Sequence, residues 1–293
     1  MNFPPVPAPS PRLVVCAATW SLAGHPRGRP WSLERQLQEM RAAGFDGVCT
    51  YVTPELRAHA DRLGLALMSG FDAPTLPVGL ERLRAQAGLG VHYINIQLLR
   101  HDTPLGPATR AAVRLAREAE RLGVAVHFET HRDTATETPE KFTALAQAFR
   151  RATGRLLPVT WDHSHFAVSK HIQAPDYAAR LLAWPALIQA SRMFHLRPFN
   201  SQHCQIPVTD ARGRLTPEAG DYFRFVRQLF ACWRAGAAGQ EELWVCPELG
   251  MSHGYHLSTD RPAWPEAMRA RREILRAWRA AASNPAGGSG NTS

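Results

Sequence analysis

Four side chains that could share one metal ion lie at the ends of short apolar segments along this chain. They are Glu129, Asp162, His195 and Glu248. Two or three carboxylates with one imidazole make a mixed oxygen and nitrogen site, which suits Mn²⁺, Mg²⁺, Co²⁺ or Zn²⁺. Such an ion could polarise a substrate carbonyl, so the pattern predicts metal-assisted proton transfer.

Each of these residues also has an ordinary structural interpretation. Glu129 could cap the helix that follows it, and Asp162 could be an N-cap or Asx-turn residue. His195 could be a core histidine, and Glu248 could pair with an arginine. The metal interpretation is favoured at Glu129, because a carboxylate at the end of the strand that begins with the apolar run 124–126 needs a charged partner or a metal.

Three further polar residues lie close to these positions and could contact a substrate: His131, His165 and Arg197. His165 could instead be a surface loop residue, and Arg197 could be a structural bridge between strand ends. Cys204 follows in the next loop, but the sequence shows no base that would pair with its thiol. We therefore predict no reactive role for Cys204.

Short apolar segments alternate with longer amphipathic segments, which is typical of parallel βαβ units. The apolar segments predict strands at 13–19, 46–51, 65–69, 91–97, 124–129, 158–162, 193–197 and 243–248. Amphipathic segments such as 31–43, 107–122 and 217–235 predict helices between them. A helix over 176–190 is expected to bend near Pro185.

Strands that each precede a helix predict an α/β fold, a closed (β/α)8 TIM barrel in a single domain over residues 13–282. The active site of such a barrel lies at the carboxyl ends of its strands. The four candidate ligands end four consecutive strands, so the barrel would bring them to one rim. The chain has no G-x-G-x-x-G after its first strand and no P-loop motif.

The composition is that of a globular protein, with 45% hydrophobic and 20% charged residues among 293. No segment approaches the roughly 18 apolar residues that a membrane span requires. Residues 1–12 contain five prolines and no signal-peptide core. We expect a cytoplasmic protein with a Pro-rich tail over 1–12 and a disordered tail over 283–293.

The net charge of +9 comes almost entirely from arginine. Most arginines lie in helical segments with alternating charge signs, which favours solvated helix faces over a nucleic-acid surface. The cysteine count is five, which is odd, and no C-x-x-C spacing occurs. We therefore expect free, mostly buried thiols and neither disulfides nor a cysteine zinc site.

The order of strand-end residues, Glu then Asp-x-x-His then His then Glu, resembles the xylose-isomerase-like TIM-barrel superfamily. That group includes ketose 3-epimerases, hydroxypyruvate isomerase, inosose dehydratase and apurinic endonucleases. The resemblance covers essentially the whole chain, from Leu13 to about Ala281. Segments 128–132 (FETHR) and 161–165 (WDHSH) look like those of sugar phosphate isomerases or epimerases, and 33–49 is similar to the superfamily's first unit.

The resemblance implies a divalent-metal-dependent isomerase or epimerase of a sugar, sugar phosphate or polyol. It implies one ion bound by Glu129, Asp162, His195 and Glu248, with the two glutamates moving a proton through an enediolate. His165 matches a residue that contacts substrate in the epimerases. Arg197 is the candidate for a substrate-binding arginine, although it follows the histidine more closely than in those enzymes.

Three other functions remain open at this stage. The same scaffold could carry a lyase or dehydratase for a keto-sugar or cyclic polyol. A DNA-repair endonuclease would need three zinc ions and a second Asp-x-His, which residues 198–209 do not supply. The third is a non-catalytic binding barrel. We expect a small carbohydrate partner and no nucleic acid, and homo-oligomers are frequent in the superfamily.

Overall fold

A computed structural model describes residues 11–236, 242–251 and 254–283. Its parallel strands form one closed barrel in the order β1-β2-β3-β4-β5-β6-β7-β8. The strands are β1 Arg12–Ala18, β2 Gly47–Thr50, β3 Ala66–Ala73, β4 Tyr93–Leu98, β5 Ala125–Glu129, β6 Val159–Trp161, β7 Met193–His195 and β8 Glu242–Cys246. The predicted (β/α)8 TIM barrel is confirmed.

The α-helices surround the barrel in the described part of the chain. They are α1 Leu33–Ala42, α2 Pro54–Leu63, α3 Leu76–Gly88, α4 Leu105–Leu122, α5 Pro139–Thr153, α6 His163–Ser169, α7 Tyr177–Leu181, α8 Pro185–Ala190, α9 Pro217–Arg234 and α10 Ala263–Ala282. Several begin in the same way, because a threonine hydroxyl accepts a backbone N–H of the first turn. Thr53, Thr138 and Thr216 do so, each directly before a proline.

Two apolar clusters fill the molecule. The larger one lies between the strands and the helices and includes most buried leucine, phenylalanine and alanine side chains. The smaller one, which we call the lower interior layer, consists of Val14, Cys16, Ala18, Cys49, Met68, Met193, Trp244 and Cys246. Its members come from β1, β2, β3, β7 and β8 and point into the barrel.

The structure differs from the sequence prediction at several boundaries. The helix expected over 176–190 is two short helices, since α7 ends at Leu181 and Pro185 begins α8. The short helix α6 begins at His163, two residues after the end of β6, in a segment for which the sequence predicts no helix. Strands β6, β7 and β8 end before Asp162, Arg197 and Glu248, which lie just beyond them.

The cysteines are free, and Cys16, Cys49 and Cys246 are buried, as predicted. Exposed arginines pair with glutamates across helix faces, for example Arg84 and Arg121 with Glu118. The predicted tail over 283–293 lies outside the described residues except for Ser283, and so do residues 1–10 of the predicted tail over 1–12. Among the described helices, none has the length and apolarity to cross a membrane.

Candidate metal centre

Three buried side chains meet at the carboxyl ends of β5, β7 and β8. Ligand atoms of Glu129, His195 and Glu248 all lie within 4.8 Å of one another. His195 Nδ1 is 2.8 Å from Glu129 Oε1 and 3.0 Å from Glu248 Oε2. The strand ends therefore place one imidazole nitrogen close to two carboxylates, and the binding of an ion by these residues stays a prediction.

The carboxylate of Glu129 accepts hydrogen bonds from two side-chain amides on β4, a strand from which the sequence predicted no site residue. Asn95 Nδ2 donates to Glu129 Oε2 at 2.6 Å, and Gln97 Nε2 donates to the same oxygen at 3.2 Å. Both donors lie on β4, which is paired with β5. Two amides at alternate positions of a strand face the same side, and that spacing is the signal that could have identified them.

Asp162 does not join this three-residue group. Its Oδ1 accepts the backbone N–H of Ser164 at 2.9 Å and so caps α6. Its Oδ2 lies 3.3 Å from both Arg197 Nε and His165 Nε2. The alternative interpretation of Asp162 as a helix cap therefore describes its present contacts, and its role as a metal ligand stays a prediction.

Arg197 links the two halves of the site. It donates through Nε to Asp162, and its NH2 lies 2.7 Å from Glu248 Oε2. Its guanidinium also lies 4.1 Å from the ring centroid of Tyr255, which stacks on Arg132 as well. Arg197 is thus a buried bridge across the rim, and contact with a substrate stays a prediction for it.

His165 and His131 lie beside this bridge, with ring centroids 4.2 Å apart. His131 lines the large cavity described below, and its Nδ1 is 2.7 Å from the Arg132 carbonyl oxygen. His165 is buried, and its Nδ1 lies 3.7 Å from Cys204 Sγ. Sequence reasoning found no base for the Cys204 thiol because His165 lies far away in the sequence.

The ionisation of these groups follows from their pairing. Burial alone would raise the pKa of Glu129, but His195 lowers that pKa to about 2. Burial alone would lower the pKa of His195, yet Glu129 and Glu248 hold it well above its ordinary value. Burial likewise opposes protonation of His165, but Asp162 raises its pKa to about 9. Without an ion, Glu129 is therefore ionised and the imidazoles of His195 and His165 are protonated. His195 would release its proton on binding a metal ion.

The residues present fit a divalent cation. Glu248 Oε2 and His195 Nε2 are buried and have no hydrogen-bond partner. Glu248 Oε2 lies close to His195 and Arg197, but neither contact has hydrogen-bond alignment. Buried carboxylates without satisfied oxygens are costly, and a cation would satisfy them. The donor set of two carboxylates and one imidazole suits Mn²⁺, Mg²⁺, Co²⁺ or Zn²⁺.

A cavity of about 970 Å³ opens above this group. His195, Arg197 and Glu248 line it, together with Asn95, Gln97 and His131. The aromatic side chains of Trp20, Phe71 and Tyr255 also line it, whereas those of Trp161, Phe166 and Phe199 belong to the core. His195 and Glu248 are thus accessible from one side to a small molecule, whereas Glu129 is fully buried and does not line the cavity.

Solved structures share this fold. An L-ribulose 3-epimerase is 16% identical, with 93% of this chain and 98% of that chain covered and a TM-score of 0.58. A xylose isomerase-like TIM barrel protein from Mycobacterium smegmatis in complex with magnesium is 14% identical, covering 93% and 97%, with a TM-score of 0.58. A D-allulose 3-epimerase from Methylomonas sp. is 14% identical, covering 93% and 99%, with a TM-score of 0.57.

At these identities the likeness establishes the fold. The chain has the xylose isomerase-like TIM-barrel fold, and the resemblance drawn from its strand-end motifs is confirmed at that level. No protein-family model matches the chain, and no curated protein matches it.

Proposed function

We propose that this protein is a divalent-metal-dependent isomerase or epimerase that acts on a sugar, sugar phosphate or polyol. The observation that carries the proposal is the buried Glu129–His195–Glu248 group, of which His195 and Glu248 line a cavity large enough for a sugar. The sugar epimerases and isomerases among the structures with this fold support the reaction class. The partner would be a small carbohydrate.

One ion would be held by Glu129, His195 and Glu248, with Asp162 as the fourth ligand. Asp162 Oδ2 now faces Arg197 and His165, so its ligation would replace those contacts. The ion, when bound, would polarise the carbonyl group of the substrate and make the neighbouring C–H more acidic.

Glu129 and Glu248 are the proposed proton-transfer pair. Both carboxylates approach His195 Nδ1, so they lie on two sides of one point. Glu129 is ionised at neutral pH, because its pKa is lowered to about 2, and can accept a proton from carbon. Glu248, having taken a proton from solvent to become a carboxylic acid, would donate that proton to the opposite face or to the adjacent carbon, and Glu129 would release its proton to solvent. Arg197, His165 and His131 would bind substrate oxygens.

A lyase or dehydratase is the second candidate, and the state of His165 favours it. As long as Asp162 keeps its contact with His165 and does not bind the ion, the pKa of His165 is raised to about 9 and its imidazole is protonated at neutral pH. A protonated imidazole beside the same enediolate could donate its proton to a departing hydroxyl group. Loss of the hydroxyl group as water would make the reaction an elimination. Return of a proton to carbon would make it an epimerisation.

The first experiment is elemental analysis of the purified protein, followed by proton exchange of keto-sugars in D₂O with the added ion. We expect about one divalent ion per chain and exchange of the C–H next to the carbonyl. Glu129→Gln and Glu248→Gln should each abolish the binding of the ion and the exchange of the C–H next to the carbonyl. Glu242→Gln is the matched control, because Glu242 pairs with Arg12 at the opposite end of β8.

Three zinc ions per chain would contradict the ligand assignment and favour the endonuclease. No ion, even after addition of divalent salts, would remove the proposed mechanism while leaving the fold. Loss of a hydroxyl group instead of simple exchange would identify the lyase. The cytoplasmic location, the homo-oligomer and the tail boundaries stay predictions.

A further inference from the structure

The mouth of the large cavity carries arginines from three successive parts of the barrel rim. Arg82 lies on α3, Arg100 follows β4, and Arg132 follows β5. All three line the same cavity as His195 and Glu248. Three separate segments thus direct positive charge at one space.

Two of these arginines form no ion pair with a carboxylate in the part of the chain that the structure describes. Among the described residues, Arg100 makes no side-chain hydrogen bond or ion pair, and its side chain is exposed. Arg82 NH1 donates to the backbone carbonyl oxygen of Asp72 at 2.7 Å, a neutral partner that leaves the charge uncompensated. Arg132 stacks on Tyr255 at 4.2 Å, which fixes it at the boundary of the cavity.

The carboxylates that line the cavity have partners of their own. Asp133 lies 2.6 Å from His101 Nδ1, and Glu248 lies beside His195 and Arg197. Asp72 is engaged in a further interaction as well. Among the described residues, no carboxylate forms an ion pair with Arg82 or Arg100, so the mouth of the cavity carries positive charge that is available to an anion.

The backbone that presents Arg100 is itself unusual. Leu99 has a φ of 53°, in the left-handed region that a leucine rarely adopts. Its N–H donates to the Ala73 carbonyl oxygen at 2.9 Å, so the end of β3 holds it in place. Both Leu99 and Arg100 line the cavity as a result. Backbone strain of this kind concentrates at ligand-binding sites.

We propose that the substrate carries an anionic group, a phosphate or a carboxylate, bound at the mouth of the cavity by Arg82 and Arg100 with Arg132. Guanidinium groups present paired N–H donors that match the oxygens of both anions. This inference rests on the proposed function, since the carbons that react must reach Glu129 and Glu248. A cavity of about 970 Å³ has room for a sugar chain and its anionic group.

Calorimetric binding to the metal-loaded protein tests this inference. The probes are two matched pairs, D-fructose with D-fructose 6-phosphate and D-glucose with D-glucuronate. We expect at least one anionic probe to bind about ten-fold or more tightly than its neutral partner at low salt, with the advantage shrinking as salt is added. A phosphate-specific or a carboxylate-specific advantage would identify the source of the anion.

The double variant R82Q/R100Q should lose most of this advantage. Arg100→Gln alone should lose part of it, and it removes no contact that holds the fold. Arg110→Gln is the control, because Arg110 is an exposed arginine on α4 with the same charge change. An unchanged advantage in R82Q/R100Q would overturn the proposal, because the anion would then bind elsewhere, for example at the ion.

Failure of this inference and failure of the proposed function are distinguishable. Equal binding of neutral and anionic probes, with C–H exchange of a neutral ketose in D₂O, would overturn the anion site and leave the isomerase. Arginine-dependent binding of an anionic probe without C–H exchange of any keto-sugar would support the anion site and reject the isomerase.

Discussion

Two layers of inward-facing side chains lie one above the other in this barrel, and their chemistry is opposite. We call the charged group formed by Glu129, Asp162, His195 and Glu248 the upper layer. On β7, Met193 belongs to the lower interior layer and His195 belongs to the upper layer. On β8 the lower layer has Trp244 and Cys246, and Glu248 follows above them. A step of two residues, about 6.6 Å along a strand, passes from close-packed apolar atoms to a charged group.

Both layers are buried, but burial has opposite energetic consequences in them. Removing apolar surface from water stabilises the fold, by about 25 cal/mol for each Å². Burying Glu129, Glu248 and Asp162 costs free energy that their mutual pairing with His195 and Arg197 offsets only in part. The comparison teaches that the lower interior layer stabilises the barrel, whereas the charged side chains above it cost stability and are the ones to which the proposed function assigns binding and chemistry.

The strongest test of this division is Glu129→Gln. We expect proton exchange to fall by about 10³-fold, because the general base is lost. The change in the free energy of unfolding should be small by comparison, because Gln keeps the shape and can still accept from Asn95. Stopped-assay NMR in D₂O and chemical denaturation measure the two quantities. A large loss of stability with residual exchange would contradict the division.

Met193→Ala should show the opposite behaviour. Truncating this fully buried side chain of the lower layer should lower the free energy of unfolding by about 2–4 kcal/mol. Affinity for the divalent ion should change little, since His195 remains on the same strand. Urea denaturation and titration with Mn²⁺ measure the two effects. Loss of the ion at native conditions would show that the two layers are not separable.

Chelation should destabilise only a protein with an intact upper layer. A bound ion at about 100 times its dissociation constant adds roughly 2.7 kcal/mol to the free energy of unfolding. EDTA should therefore lower the melting temperature of the wild type and leave that of Glu248→Gln unchanged. The control variant Glu242→Gln should respond to EDTA as the wild type does. Equal responses in Glu248→Gln and the wild type would place the ion elsewhere.

His127 lies two residues before Glu129 on β5, and its Nδ1 has no hydrogen-bond partner. Burial, assisted by Arg192, lowers its pKa to about 3. The unfolded chain binds this proton near pH 6.5 and the folded chain does not, so stability falls as pH decreases below that value. Between pH 8 and pH 5, the free energy of unfolding of the wild type should therefore fall by about 2 kcal/mol more than that of His127→Leu.

Urea denaturation of the metal-free protein at both pH values measures this difference. His131 and His163 are also held neutral and contribute to the acid sensitivity of both proteins, so only the difference between the two proteins is diagnostic. An identical pH dependence in His127→Leu and the wild type would show that His127 is protonated inside the barrel.

The smallest expected effect concerns Tyr255, whose ring lies between Arg132 and Arg197. Replacing the ring by Leu should raise KM about 2- to 5-fold, since a cation–π contact contributes about 0.5–1 kcal/mol at such sites. Tyr255→Phe keeps the ring and should behave almost as the wild type. If Phe and Leu have equal effects on KM, the hydroxyl group and not the stacking is important.

The barrel and its rim were predictable because both follow from short-range patterns. The alternation of apolar and amphipathic segments indicates the fold, and the strand-end rule brings Glu129, His195 and Glu248 together. The roles of Asn95 and Gln97 were missed, because they depend on which strand is paired with β5. The present contacts of Asp162 were foreseen only as an alternative to metal binding.

Contacts between loops far apart in the sequence could not be predicted. Cys204 meets His165, and Tyr255 meets Arg197, only through the packing of loops that follow different strands. The break between α7 and α8 has a local cause in Pro185, but the local sequence does not determine how many residues separate the two helices. Pro185 predicts a disturbance, and tertiary contacts decide whether the chain bends or begins a new helix there.

The barrel closes through the pairing of its first strand with its last, where Val15 lies opposite Val245. Glu248 follows that seam directly, so the last of the three clustered carboxylate and imidazole groups is put in place by ring closure itself. During synthesis, a chain that has not yet added β8 has Glu129 and His195 but cannot complete the group. Uptake of a divalent ion would therefore report that the ring has closed, and an ion-sensitive signal could follow the final step of folding.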